Sequence, residues 1–148
     1  MKIVRIQSSA QLKQAFSIRE EVFMVEQKVS YEDEFDVYDQ EARHFLVLKE
    51  EIPCGTARWR YTANGAKLER FAVLASFRRQ GVASVLVQAV LEDIIEQSKG
   101  QDLLLYLHAQ TDAVPLYEKF GFQISGDLFM ECDITHYPMA KTIVAQNP

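Results

Sequence analysis

Along this chain the spacing of apolar residues switches between a period of two and a period near 3.6, and each switch marks a change from strand to helix. Residues 2–6 read as a first strand. Ser8 and Ser9 then offer an N-cap, and Leu12, Ala15, Phe16, Val22 and Phe23 recur at helical spacing to form one apolar face. Arg19 falls on that stripe, so it needs a carboxylate, with Glu34 and Asp36 as candidates, or must carry its charge outward along its stem. Residues 44–49 and 55–61 read as strands separated by 50–53, and Asn64-Gly65 marks a hairpin into a third strand over 67–73. Val82, Val85, Leu86, Ala89, Val90 and Ile94 give a helix with a wide apolar stripe that ends near Lys99-Gly100. The consecutive apolar residues 103–107 then read as a buried strand, parallel to the one ending at Val73 and completing a right-handed βαβ unit. Pro115 suits the first turn of another helix, Gly121 suits its C′ position, and strands from Phe122 and around 134–144 close the sheet.

The 148 residues, 48% of them hydrophobic, suffice for one core and are too few for two ordinary domains, so a single domain over 1–148 is expected. The opening apolar stretch is too short for a signal-peptide core and no later one spans a bilayer, which points to the cytoplasm and no membrane partner. Cys54 and Cys132 lack metal-ligand spacing, and no metal is expected. A net charge of -5 disfavours nucleic acid as a partner. Within so acidic a chain, Arg78-Arg79 is a local exception.

That exception sits in the turn Arg78-Arg79-Gln80-Gly81-Val82-Ala83, between the third strand and the long helix. Small residues let the backbone approach a ligand, the helix start presents free N–H groups, and two guanidinium groups match phosphate oxygens. The same residues also fit a packed turn with two solvated arginines. Further on come Leu103-Leu104-Leu105-Tyr106-Leu107-His108-Ala109-Gln110 and Leu116-Tyr117-Glu118-Lys119-Phe120-Gly121-Phe122. Together these segments resemble the GNAT superfamily of acyl-CoA-dependent N-acyltransferases. Its pattern is a strand, an Arg/Gln-x-x-Gly-x-Gly/Ala turn, a helix, a strand, and a second helix ending in a Leu-Tyr-Glu-Lys-x-Gly-Phe-like run. Ile18 to Phe23, Glu26-Gln27, the acidic run 32–41, His44, His108 to Gln110, Glu131, His136 and Met139 are similar to the small bacterial ElaA-like subfamily.

The resemblance implies an α/β, GNAT-like fold with a mixed six- to seven-stranded sheet flanked by about four helices. It implies acetyl-CoA as cosubstrate, with Phe71, Ala72 and Val73 pairing along the pantetheine arm and the Val73 N–H facing the thioester carbonyl. Arg78, Arg79, Gln80, Gly81, Val82, Ala83 and Ser84 would wrap the pyrophosphate. Tyr117 matches the family's general acid, a phenol protonated at neutral pH, although a core tyrosine gives the same pattern. Gln110 stands where many members have Asn, which puts the usual amide contact to the cofactor in doubt.

The general base is open between Glu69 and Glu26. Glu69 precedes Phe71 by two residues, which on an unbroken strand puts both on one face and aims Glu69 into the cleft. Glu26 follows the first helix near the presumed acceptor site. His108 and His136 can titrate near neutrality, and a lone histidine is more often structural. The acidic run at Glu32, Asp33, Glu34, Asp36, Asp39 and Glu41 reads as a solvated loop with one or two carboxylates on Arg19 or Arg43, or as an attractor for a protonated amine. Arg58 and Trp59 are candidates for the acceptor pocket, and equally for the core.

The expected function is acetyl transfer to a primary amine of a small molecule or peptide, by direct attack in a ternary complex. Cys132, the rival nucleophile, has no adjacent base. A CoA-binding sensor or partner-binding module without catalysis is the alternative. A nucleotide-binding domain fits less well, since no Gly-Lys-Ser/Thr follows the turn. An exposed edge in the last strands is compatible with a homodimer.

Overall fold

Ser8 starts the first helix as its position predicts: its hydroxyl accepts the Gln11 N–H at 3.2 Å, and α1 runs Ser9–Arg19. The chain then widens into a π-helical segment, Glu20–Glu26, that keeps Val22 and Phe23 buried. The computed structural model describes residues 1–144. Its strands are β1 (Lys2–Arg5), β2 (Arg43–Lys49), β3 (Ile52–Thr62), β4 (Gly65–Val73), β5 (Leu103–Gln110), β6 (Gln123–Ile124), β7 (Phe129–Glu131) and β8 (Ile134–Ile143). They form one mixed sheet in the order β1-β2-β3-β4-β5-β8-β6, with β7 also paired to β8. The remaining helices are α2 (Tyr31–Glu34), α3 (Val82–Ser98) and α4 (Val114–Glu118). The sheet thus has one strand more than the upper expectation, because the short β7 turns into β8 through Cys132 and Asp133, both at positive φ. Neither is the glycine or asparagine that normally advertises such a hairpin. Among the described residues no helix is long and apolar enough to cross a membrane.

The sheet is covered on both faces. Leu86, Val90 and Ile94 of α3 pack on Trp59, Leu68 and Leu105, while Ala15, Ile18 and Val22 pack on Leu46 and Ala72 from the opposite side. Each Leu, Ile and Val among them contributes roughly 1.5–3 kcal/mol by leaving water. β5 departs from the buried strand expected of it: Leu105 and Leu107 are buried, but Leu104 is 39% exposed, because helices cover only one face there.

Two irregularities make the site. β4 and β5 are paired in parallel only at Ala66 with Leu105 and Lys67 with Tyr106, and beyond these they diverge. On its other side β4 carries a bulge. Thr56 faces Ala72 and Arg58 faces Glu69, so β4 holds one residue more than β3 between these pairs, and Arg70 takes up the excess at φ 58°. A one-residue excess reverses which face each later side chain occupies. Glu69 and Phe71 therefore do not share a face as an unbroken strand requires. Phe71 and Val73 join the α3 layer, whereas Glu69 lies with Arg58 on the α1 side and Ala72 joins the α1 cluster.

Candidate active site

The divergence of β4 from β5 leaves a cavity of about 200 Å³. Phe71, Leu107 and Tyr117 wall it on the α3 side, and Glu69, His108, Glu131 and His136 reach it from the other. Gly55 and Val73 stand opposite each other, and the neighbouring Leu74 N–H bonds to the Cys54 carbonyl at 2.9 Å. The alternation of antiparallel bonds then turns the N–H of Val73 away from β3 and into the gap. Tyr117 is 6% exposed, with its ring edge-on to Phe71 at 5.7 Å. Burial pushes its phenol well above the ordinary range, which keeps the proton on oxygen. No group among the described residues hydrogen-bonds that hydroxyl.

At the far end of β4 the turn meets α3. Gly81 precedes the helix at φ 85°, a conformation costly to side-chain-bearing residues, and among the described residues no side chain caps the helix start. The first N–H groups of a 17-residue helix are left for a ligand. α3 sits close to the sheet because Gly55 lacks a Cβ, which would lie 2.6 Å from Val82 Cγ1. Arg78 donates through Nε to the Val73 carbonyl at 3.0 Å and through one terminal nitrogen to both Glu26 oxygens at 2.9 Å. Arg79, at φ 62°, is exposed. Lys49 bonds Gln80, whose amide also donates to the Ser76 carbonyl at 3.2 Å. Gln110 lines the cavity and exchanges amide hydrogen bonds with Gln27 at 2.9 and 3.3 Å, closing its side-chain amide on the π-helical segment. An unpaired strand edge that runs into an uncapped helix start beside two arginines fits an extended ligand ending in a diphosphate.

Within the acidic run Glu32, Asp33 and Glu41 are exposed, and two of its carboxylates hold Arg19 as expected. Arg19 binds Glu34 at 2.7 Å and Asp39 at 2.7 and 3.2 Å, both within α2 and the following 3-10 turn. Asp36 instead pairs with Arg58 at 2.9 Å and Arg70 at 3.2 Å, and Arg43 pairs with Asp93 of α3. Arg58 and Trp59, each 1% exposed, do not line the cavity. Trp59 donates to Asp93 at 2.8 Å, and Arg58 binds Asp36, Asp39 and Glu69. Sequence spacing gave no hint of Asp93 as the partner of Arg43 and Trp59, because it lies on another element.

Glu69 is committed to this network. Its carboxylate accepts from Arg58 at 2.9 Å and Arg60 at 3.0 and 3.2 Å, with Lys67 at 3.2 Å. Burial pushes its pKa up, but the Arg60 hydrogen bond and the Arg58 and Lys67 charges prevail and bring it to about 2. Glu34 goes the other way, since burial there outweighs Arg70 and Arg19.

On the α1-side face, β5, β7 and β8 bring His108, Phe129, Glu131 and His136 together. His108 Nδ1 lies 3.0 Å from Glu131 Oε2, and its hydrogen bond holds the Glu131 carboxyl below the usual range. The Phe129 ring meets His108 edge-on at 5.0 Å and stacks on His136 at 5.6 Å. Cys132 lines the same cavity, and burial pushes its thiol up, away from the nucleophilic thiolate.

Residues 7–143 match the family model of the Acetyltransferase (GNAT) domain. The chain is 44% identical to Bacillus subtilis YyaT over 97% of both chains, and 39% identical to the B. subtilis N-acetyltransferase YjcF over 95% of this chain and 99% of the relative. Among solved structures it superposes on Escherichia coli ElaA with a TM-score of 0.85 and 26% identity, covering 95% of this chain and 98% of ElaA.

Proposed function

Because the chain belongs to the GNAT family and is an N-acetyltransferase, we propose that it moves an acetyl group from acetyl-CoA to a primary amine of a small molecule or peptide, by direct attack with both substrates bound. One domain over 1–148 carries the reaction. The observation that supports this reading most is the continuous path from the unpaired edge of β4 to the uncapped start of α3. Phe71, Ala72 and Val73 hold the pantetheine arm as an added strand does, and the Val73 N–H meets the thioester oxygen. Arg78, Arg79 and the backbone from Gln80 to Ser84 hold the diphosphate. The bound cosubstrate supplies an activated acetyl group and a thiolate leaving group.

Tyr117, buried and protonated, gives its proton to that thiolate. Glu69 is a poor proton acceptor with a pKa of about 2, and Glu26 does not line the cavity between β4 and β5, so neither takes the amine proton in our assignment. Gln110, held by Gln27, contacts the cosubstrate only if that amide pair opens. In calorimetry the wild type binds acetyl-CoA, and Tyr117→Phe binds it equally but turns over about 10²-fold more slowly in a thiol-release assay. Absence of acetyl-CoA affinity in the wild type overturns the reading, and unchanged turnover in Tyr117→Phe removes the tyrosine from its role.

A further inference from the structure

Direct attack requires a neutral nitrogen, and so a group that strips the ammonium on the side of the sheet facing away from Tyr117. Of the carboxylates expected there, Glu69 is held by three cations, and Glu26 lies outside the cavity lining. The cavity wall offers another acceptor. His108 projects from β5 on the face opposite Leu107, and Pro138 pairs with it across β8 as His136 pairs with Gln110 two residues along. β7 lies on the far side of β8, where Phe129 pairs with His136 and Glu131 with Ile134, so Glu131 reaches over β8 to His108.

A carboxylate oxygen only accepts, so at 3.0 Å the Nδ1 of His108 carries the hydrogen and Nε2 carries the lone pair. The ring is one-third exposed and lines the cavity, which gives that lone pair access both to a bound amine and to solvent. His136 is arranged differently. Its Nδ1–H donates to the Ile134 carbonyl at 2.7 Å, its ring is 8% exposed, and it is stacked on the Phe129 ring that also braces His108. We propose that His108 is the general base of the acetyl transfer, that Glu131 positions it and steadies its protonated form, and that Phe129 and His136 brace the pair. This inference rests on the acetyl-transfer reading above.

In the step, the ammonium passes one proton to His108 Nε2, and the freed nitrogen pair forms the C–N bond while the carbonyl pair moves to oxygen beside the Val73 N–H. Collapse breaks the C–S bond, and the departing sulfur takes the Tyr117 proton. The second excess proton on nitrogen restores the tyrosine, and His108 loses its proton to solvent through its exposed edge. The amide, the thiol and one released proton balance the ammonium and thioester consumed.

The test compares wild type, His108→Ala, Glu131→Gln and His136→Ala, with acetyl-CoA affinity followed by calorimetry and thiol release followed on spermidine, benzylamine and a short peptide. His108→Ala lowers kcat about 10²-fold without changing acetyl-CoA affinity, and added imidazole restores turnover in a saturable way. Glu131→Gln lowers kcat by a smaller factor at unchanged acetyl-CoA affinity, and imidazole does not help it because the ring is still present. Should His108→Ala fail to fold, His108→Gln keeps the volume and shows the same loss. Wild-type kcat in either His108 variant, or imidazole rescue of His136→Ala in place of His108→Ala, overturns the assignment while leaving the acetyl-transfer reading intact. A wild type that binds acetyl-CoA but releases no thiol on any of these amines overturns both.

Discussion

Arg78 shows how one side chain can serve two partners in turn. It reaches back to the Val73 carbonyl, which holds the turn against β4, and it is held from above by both oxygens of Glu26. Both side chains of this pair are partly exposed, at 43% and 30%, so the pair is worth no more than about 1 kcal/mol. In the proposed complex a diphosphate, with more charge and the helix start behind it, would displace the carboxylate. Glu26→Gln is accordingly expected to tighten acetyl-CoA binding by about two- to five-fold, since it removes a competitor worth that much. The gain shrinks at high salt, and turnover stays at the wild-type level. Calorimetry at two ionic strengths with a thiol-release assay checks this, and a collapse of turnover would return Glu26 to the role of base. Glu26 is legible in the sequence as an acidic residue near the site, but its partner, 52 residues away, is not.

At the level of elements, β4 decides the geometry of the cleft. Gly65 begins it at φ 144°, and a Cβ there would lie 2.2 Å from the Leu104 carbonyl oxygen, at the one place where β4 and β5 stay paired. Backbone cannot retreat as a flexible side chain can. Gly65→Ala should therefore destabilise the fold by about 2 kcal/mol or more, through strain at positive φ plus the clash. Thermal unfolding would register this as a drop in Tm of several degrees, and an unchanged Tm would show that β5 moves aside at little cost. The Asn64-Gly65 hairpin was readable because its residues suit its turn. The Arg70 bulge was not, since arginine carries no preference for φ 58° and is held there by Glu34 and Asp36. That single extra residue separates Glu69 from Phe71 and invalidates the parity argument for Glu69 as base.

Across the whole molecule, α1, α2, β3 and β4 are joined by charges instead of by an apolar seam alone. Arg19, Arg58, Glu34 and Glu69 meet almost out of contact with water, and the half-buried Asp36, Asp39 and Arg70 close the cluster. Removing one partner of such a cluster costs about 3–5 kcal/mol. The pH dependence follows from the directions of the shifts. Glu69 falls from 4.5 to about 2, so its contribution of about 3 kcal/mol is complete above pH 4.5 and is lost as pH falls toward 2. Asp36, also lowered despite its burial, by the Arg58 hydrogen bond and charge, behaves alike below 3.8. Burial depresses His44 from 6.5, and its Nδ1 is buried with no hydrogen-bond partner among the described residues, so stability held above pH 6.5 is given up as the pH drops below that. Glu34, raised by burial, opposes the trend by taking a proton readily in the folded state. Urea unfolding is thus expected to give a midpoint that declines gently below pH 6.5 and steeply between 4.5 and 2. A midpoint that is level down to pH 3 would show that the network carries no net stability.

The periodicities of the chain determined the main strands, the helices α1, α3 and α4 and their order, and the turn around Gly81 suggested a place for an anion, because these features depend on residues within a few positions of one another. Tertiary structure alone decided which face Phe71 presents, which carboxylate each arginine takes, and that His108, Glu131 and His136 meet. Those outcomes hang on a bulge and on partners 11 to 50 residues apart, and pair choice at that range is set by the packed geometry of the whole sheet instead of by any local preference of the residues involved.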